Sequence, residues 1–139
     1  MNPFALQEAL QAVMENNVGI ARTEEALKEA AETIPHLAGQ LDLCSVTGGR
    51  AYNPGWNTWL DLRSLLIVSE AIALSALERR ETRGAHTRID YPDTDAELGR
   101  RQIVVAAEAP PEGEPQMTCT TVLVPTPPDE LRRFIQTGT

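Results

Sequence analysis

The chain has 139 residues, 42% of them apolar but only 4% aromatic, with 20 acidic and 12 basic side chains and a formal net charge of −8. That length suits one domain, or one domain with an appendage, and buries about two-thirds of its unfolded surface, so aliphatic and alanine packing must build the core. The acidic balance argues against sequence-independent nucleic-acid binding and against an anchor on anionic lipid, both of which need basic surface.

The first residues, Met1 to Glu8, carry no basic region and no long apolar stretch, so no secretory signal is predicted. Cys44 and Cys119 are too few for a disulfide scaffold and read as reduced thiols of a cytoplasmic protein. Asn2-Pro3 starts a first helix, with Asn as the cap and Pro at a position whose N–H has no partner anyway. Leu6, Leu10, Val13 and Met14 recur along it at helical spacing, and Asn16-Asn17 with Gly19 closes it. Thr23, followed by Glu24 and Glu25, opens a second helix with a capping hydroxyl and two acids at the positive end of the dipole. Its stripe is Leu27, Ala30, Ala31, Ile34, Leu37 or Ala38, and Leu41, and Pro35 predicts a kink or interruption near Thr33-Ile34.

Residues 45–56 read as a loop in which Asn53-Pro54-Gly55-Trp56 suits a type II turn, with Gly55 at positive φ. Asn57 caps a third helix reaching about Glu81, apolar nearly all round, and such a helix belongs in the centre of a fold. Two partner helices are few to cover it. Asp61, Arg63 and Glu70 interrupt its apolar run, which argues against a membrane span. Glu70 must be paired or near an edge, and Arg50 is a candidate partner, whereas Arg63 lies two turns away. Gly84 stops the third helix. Ile103 to Ala107 and Thr118 to Val124 are β-branched, strand-like runs, joined by a Pro-rich connector too long for a two-residue hairpin. Asp129 to Ile135 suits a last short helix that docks by Leu131, Phe134 and Ile135. The predicted fold is mainly α: an antiparallel, spectrin-repeat-like three-helix bundle followed by a small tail containing a β-hairpin. The division falls at 1–92 for the bundle and 93–139 for the tail.

His36 and His86 sit at no metal-ligand spacing from a cysteine, so a zinc site is not expected. Thr47-Gly48-Gly49-Arg50 lacks the phosphate-loop Lys-Ser or Lys-Thr and reads as a turn. The unusual segment is Glu78 to Pro92, because Arg79, Arg80, Arg83 and Arg88, four of eleven arginines, fall within ten residues of an otherwise acidic chain. Two roles fit them. Guanidinium groups near a helix C-terminus cap its carbonyls and complement its dipole. They also dock a carboxylate, a phosphate or an acidic partner surface through bidentate forks. A catalytic His86 is the weaker reading, since no motif supplies a nucleophile, and Asp90 would simply orient the ring.

Glu81-Thr82-Arg83-Gly84-Ala85-His86-Thr87-Arg88-Ile89-Asp90-Tyr91-Pro92 resembles the signature of the C-terminal helical domain in the flavoprotein subunit of succinate dehydrogenase and fumarate reductase. Thr82 stands where that signature usually has serine, hydroxyl for hydroxyl. Val13-Met14 through Asn17 to Glu25 is similar to the family's first helix and following turn, and Tyr52 to Asn57 and Leu60 to Arg63 through Ser69 to Ala73 are similar to its loop and long helix, with Pro35 a departure. The resemblance covers residues 4–107 well and the tail more loosely. It implies a much larger parent enzyme that moves a hydride between a dicarboxylate and FAD and passes electrons onward. The implied parent is an oxidoreductase on the cytoplasmic face of a membrane, without direct membrane insertion by this part. No catalytic, cofactor-binding or metal residue carries over by position, so this part alone is expected to be inactive and to bind no FAD. What carries over is a docking set, Arg83, His86, Arg88, Asp90 and Tyr91, bracing the domain against the parent's flavin domain or iron–sulfur subunit. L-aspartate oxidase shares the implied architecture, and a free-standing helical interaction protein is the alternative from another class. The apolar third helix further predicts self-association when its covering partner is missing.

Overall fold

In the computed structural model, residues 2–108, 116–129 and 131–132 are described. The elements run α1 (Pro3–Val18), β1 (Ala21–Arg22), α2 (Glu24–Leu41), α3 (Pro54–Glu78), β2 (Thr87–Arg88), a 3-10 turn at Leu98–Arg100, β3 (Arg101–Glu108) and β4 (Gln116–Leu123). The fold is a mainly α three-helix bundle with a β-hairpin tail. All three helix pairs pack on one another, and β3 and β4 lie against α3.

The first two helices start where capping chemistry places them. Asn2 Oδ1 accepts the Ala5 N–H at 2.9 Å ahead of Pro3, and Thr23 Oγ1 accepts that of Ala26 at 3.3 Å. The core is aliphatic: Leu6 and Leu10 from α1, Leu27, Ala30, Ile34, Leu37 and Leu41 from α2, and Leu62, Leu66, Ala73 and Ala76 from α3. Each fully buried leucine contributes about 1.5–3 kcal/mol relative to an exposed one. The indole of Trp59 donates to the Leu41 carbonyl at 3.1 Å, tying the end of α2 to the first turns of α3.

Several local expectations are corrected. Pro35 neither ends nor interrupts α2, which is continuous from Glu24 to Leu41, with the exposed proline ring on its outer side. The Asn53-Pro54-Gly55-Trp56 segment is not a type II turn but the start of α3. Asn53, not Asn57, is the cap and accepts the Gly55 N–H at 3.0 Å, while Pro54 takes the first helical position that its fixed φ favours. The positive φ falls one residue before that cap, at Tyr52 (+54°), rather than at Gly55. α3 ends at Glu78, short of Glu81, because the arginine cluster beyond it takes up the last carbonyls.

The other half of α3 is not covered. Leu60, Leu65, Ile67, Val68 and Ile72 are all exposed, so the helix is buried along one stripe rather than all round. Among the described residues Glu70 has no ion-pair partner, and partial burial pushes its carboxyl pKa up. Arg50 lies over the Trp56 ring at 5.0 Å and Arg63 over Trp59 at 5.8 Å. β3 and β4 form an antiparallel ladder from Arg101↔Leu123 to Glu108↔Gln116, longer than the strand runs expected at 103–107 and 118–124. Their connection, residues 109–115, lies outside the described residues. Of the expected last helix, Asp129, Leu131 and Arg132 are helical, and the Arg132 N–H donates to the Pro128 carbonyl at 3.0 Å. Phe134 and Ile135 lie outside the described residues.

Candidate functional site

Beyond α3 the chain makes a tight reversal. Arg83 and His86 exchange backbone hydrogen bonds at 2.8 and 3.0 Å across Gly84-Ala85. Gly84 has φ +58° and Ala85 a negative φ, the sign pattern of a type II′ turn, so a side chain at 84 would be strained. The returning strand β2 pairs in parallel with β1, Arg22 opposite Arg88, and the Ile89 N–H donates to the Arg22 carbonyl at 2.9 Å. This short ladder holds the signature against the α1–α2 corner.

Arg88 is wholly buried, and its fork is used in two directions. Nη1 donates to the carbonyls of Ala76 and Leu77 at 3.0 and 3.2 Å, satisfying the last turn of α3. Nε and Nη2 grip Asp90 at 2.8 and 2.7 Å, a bidentate pair. Asp90 Oδ2 in turn accepts the Glu24 N–H at 2.8 Å, the first amide of α2. One ion pair thus joins the negative end of α3 to the positive end of α2, a favourable arrangement for both dipoles. The Arg88 fork, seconded by the Glu24 amide, holds the Asp90 carboxyl far below the usual carboxylate range. Tyr91 lies under the same guanidinium at 4.9 Å and donates its hydroxyl to Glu24 Oε2 at 3.4 Å.

A second knot forms around Glu81, whose side chain is fully buried. Arg83 approaches it with Nε and Nη2, both at 3.1 Å, Arg79 pairs with Oε1, and the Asp95 N–H donates to Oε2 at 2.7 Å. The Arg83 hydrogen bonds, helped by the Asp95 amide and Arg79, lower the Glu81 pKa to about 2. The arginines continue outward. Arg83 reaches the Asp95 carbonyl at 2.9 Å, and Arg79 reaches those of Leu98 and Arg101 at 3.3 and 3.0 Å, so residues 95–101 are strapped beneath the end of α3. Gly99 permits this, since a Cβ there would lie 2.5 Å from Arg83 Nη2.

His86 stands between the two knots. Its Nδ1 is 2.8 Å from Arg22 Nη1, and since a guanidinium only donates, this nitrogen is the acceptor. Its Nε2 then carries the proton and donates to the Arg79 carbonyl at 3.0 Å. Burial, with Arg22, Arg88 and Arg79 nearby, pushes the ring's pKa down, favouring the neutral form. Arg22 also caps α1, with Nε donating to the carbonyls of Val18 and Gly19 at 3.0 and 2.9 Å.

The structure therefore brings all five expected residues together, with Asp90 serving Arg88 rather than orienting His86. Arg83 is partly exposed, His86 half-buried, and Arg88 faces the interior. Three residues of equal weight stand outside the expected docking set: Arg22, Arg79, which the sequence places only in the wider arginine cluster, and Glu81, which only opens the signature. A sequence signal existed for two of them, because Glu81 lies two residues from both Arg79 and Arg83. Arg22 lies 64 residues from His86, and only the β1–β2 pairing joins them. Mechanically, the cluster fixes three helix ends and a strap at one point.

A family of C-terminal domains, described as that of the fumarate reductase flavoprotein, matches residues 7–132. The succinate dehydrogenase flavoprotein subunit of Coxiella burnetii is 35% identical over 95 residues, 68% of this chain and 16% of that protein. L-aspartate oxidase of Streptomyces coelicolor is 32% identical over 96 residues, 69% of this chain and 16% of its own length. Among solved structures, Mycobacterium smegmatis Sdh1 in complex with UQ1 superposes with a TM-score of 0.81 at 39% identity, covering 96% of this chain and 22% of that one. The chain spans about a sixth of the length of the curated relatives it matches.

Proposed function

The chain belongs to the fumarate reductase flavoprotein C-terminal family, and from that membership we propose that it is the scaffold and docking module of an FAD-dependent oxidoreductase that interconverts succinate and fumarate. The observation that carries the scaffold role is the convergence of Arg22, Arg88 and Asp90 on the ends of α1, α3 and α2. Such a knot fixes the bundle's shape without a reactive group, while the far side of α3 is left apolar and exposed. FAD belongs to another part of the parent protein on this reading. A dinucleotide pyrophosphate seeks free amides at a helix N-terminus behind a parallel strand. Here Asn2, Thr23 with Asp90, and Asn53 already engage such amides on α1, α2 and α3, so these helix starts do not fit the group. The parent's flavin domain and iron–sulfur subunit are the proposed partners, on the cytoplasmic face of a membrane; no described helix is long and apolar enough to cross one.

The test is made on the complete parent enzyme. Replacing Arg83 or His86 by Ala lowers the flavin retained per polypeptide and the melting temperature, while the KM for succinate of the remaining holoenzyme stays constant. Unchanged flavin content and stability with a selective rise in KM would refute the docking role. The Streptomyces relative supports a second reading, as the same domain of an L-aspartate oxidase. Turnover of L-aspartate but not succinate by the complete enzyme selects it.

A further inference from the structure

A cavity of about 690 Å³ opens between the C-terminal half of α3 and the start of β3. Ile67, Ala71 and Ile72 form one wall, and Ile103 and Val105 face them from the hairpin. Arg22, Arg79 and His86 line it too, so its lining is apolar and cationic at once. The apolar wall continues outside: Leu60 lies two turns before Ile67 on the same face of α3, and the strip from Leu60 to Ile72 is about 18 Å long.

The charges in this cluster do not cancel. Arg79 and Arg83 share Glu81, and Arg88 has Asp90, but among the described residues no carboxylate pairs with Arg22. Arg22 is thus the guanidinium of the cluster that no carboxylate pairs with among the described residues, in a chain whose net charge is −8. A half-buried cation without a counter-charge beside an apolar wall favours a ligand that brings both a carboxylate and hydrophobic surface.

We propose that this groove seats a polypeptide segment from the remainder of the parent flavoprotein, presenting an apolar side chain to Ile67, Ile72 and Ile103 and a carboxylate to Arg22. This rests on the reading of the chain as one module of a larger flavoprotein. The chain's share of its relatives, about a sixth, leaves ample polypeptide to supply the segment. The length of the strip favours a segment over a small amphiphilic carboxylate, which would fill the cavity and leave Leu60 and its neighbours wet. A carboxylate at Arg22 would leave the His86 contact in place, since His86 uses only Nη1.

The experiment places a photo-reactive residue, Ile67→benzoylphenylalanine, in the complete native protein, irradiates it and maps the cross-linked peptides by mass spectrometry. The expected product joins position 67 to a peptide outside residues 1–139 that carries Asp or Glu next to an apolar residue. Its yield falls at least tenfold in Arg22→Gln and in Ile72→Asn, the latter at an exposed position on the apolar wall and without a new charge beside Arg22. Cross-links only to a second copy of this chain, an intact non-covalent small carboxylate seen by native mass spectrometry in their place, or yields unmoved by both variants overturn the proposal. Flavin absorbance of the same preparation separates the two levels. A flavin-bearing protein without the expected cross-link defeats the groove assignment alone; a protein with neither flavin nor companion polypeptide defeats the module reading itself.

Discussion

Arg88 holds the strongest position of any single side chain here, because it is fully buried and its donors serve Asp90 and two helix-end carbonyls. Arg88→Ala leaves Asp90 without its cation and α3 without its cap, and breaking such a pair costs about 3–5 kcal/mol. Urea unfolding of the variant checks this, and Arg88→Lys restores less than half, since an ammonium cannot reproduce the fork. Acid tests the same network. Glu81 has a folded pKa of about 2 against 4.5 for the free side chain, so its stabilisation is complete above about 4.5 and is lost as pH falls toward 2. Asp90, also depressed, acts in the same direction. His86 is lowered from 6.5, so it too favours the folded state above that value and begins to penalise it as pH falls below. Stability should therefore decline in two stages on acidification, first below about 6.5 and then below about 4.5. Equilibrium unfolding between pH 8 and 2 measures it, with His86→Gln removing the first stage and Glu81→Gln flattening the second. A single transition in all three proteins contradicts the assignment.

The elements show where local chemistry speaks clearly and where it is overruled. Asn2-Pro3 and Thr23-Glu24-Glu25 start helices as their capping atoms dictate, and the α2 stripe from Leu27 to Leu41 is buried as its spacing foretells. Pro35 is the instructive departure. Its local cost, a missing donor and a ring against the preceding turn, is real, but Leu27, Ala30, Ile34, Leu37 and Leu41 on the same helix are packed into the core and hold the helix together. Pro35→Ala consequently raises stability by about 1–3 kcal/mol in thermal or chemical unfolding, because it restores the donor at an exposed site. Asn53-Pro54-Gly55-Trp56 has residues that suit both a type II turn and a helix start. Only the continuation into the helical run from Trp59 onward decides between them. In the signature, the positive φ at Gly84 carries the turn that returns β2 to β1, and Gly84→Val should lower the melting temperature and weaken the ladder that holds Arg22 to His86.

At the scale of the whole molecule, the exposed strip on α3 predicts behaviour in solution. The 139-residue chain by itself should self-associate through Leu60, Ile67, Val68 and Ile72, with Ile67→Lys restoring monomer in light scattering. Monomer alone at high concentration, with no dye-accessible apolar surface, counts against it. The sequence by itself determined the starts of α1 and α2, the core stripe of α2, the strand-like runs and the arginine-rich signature, because capping, periodicity and charge clustering are local properties that neighbouring residues display. It also carried the family resemblance, which rests on contiguous residues. The tertiary structure alone decided what the signature's side chains touch. Arg22 meets His86, Asp90 meets the first amide of α2, and the Asp95 amide joins Glu81 and its near neighbours Arg79 and Arg83 only after three helices and a strap have converged. It also decided which flank of α3 stays uncovered. The reason is physical in both cases: periodicity fixes which residues share a face, whereas what covers a face, and which charge is left without a partner, depends on contacts between residues far apart in the chain.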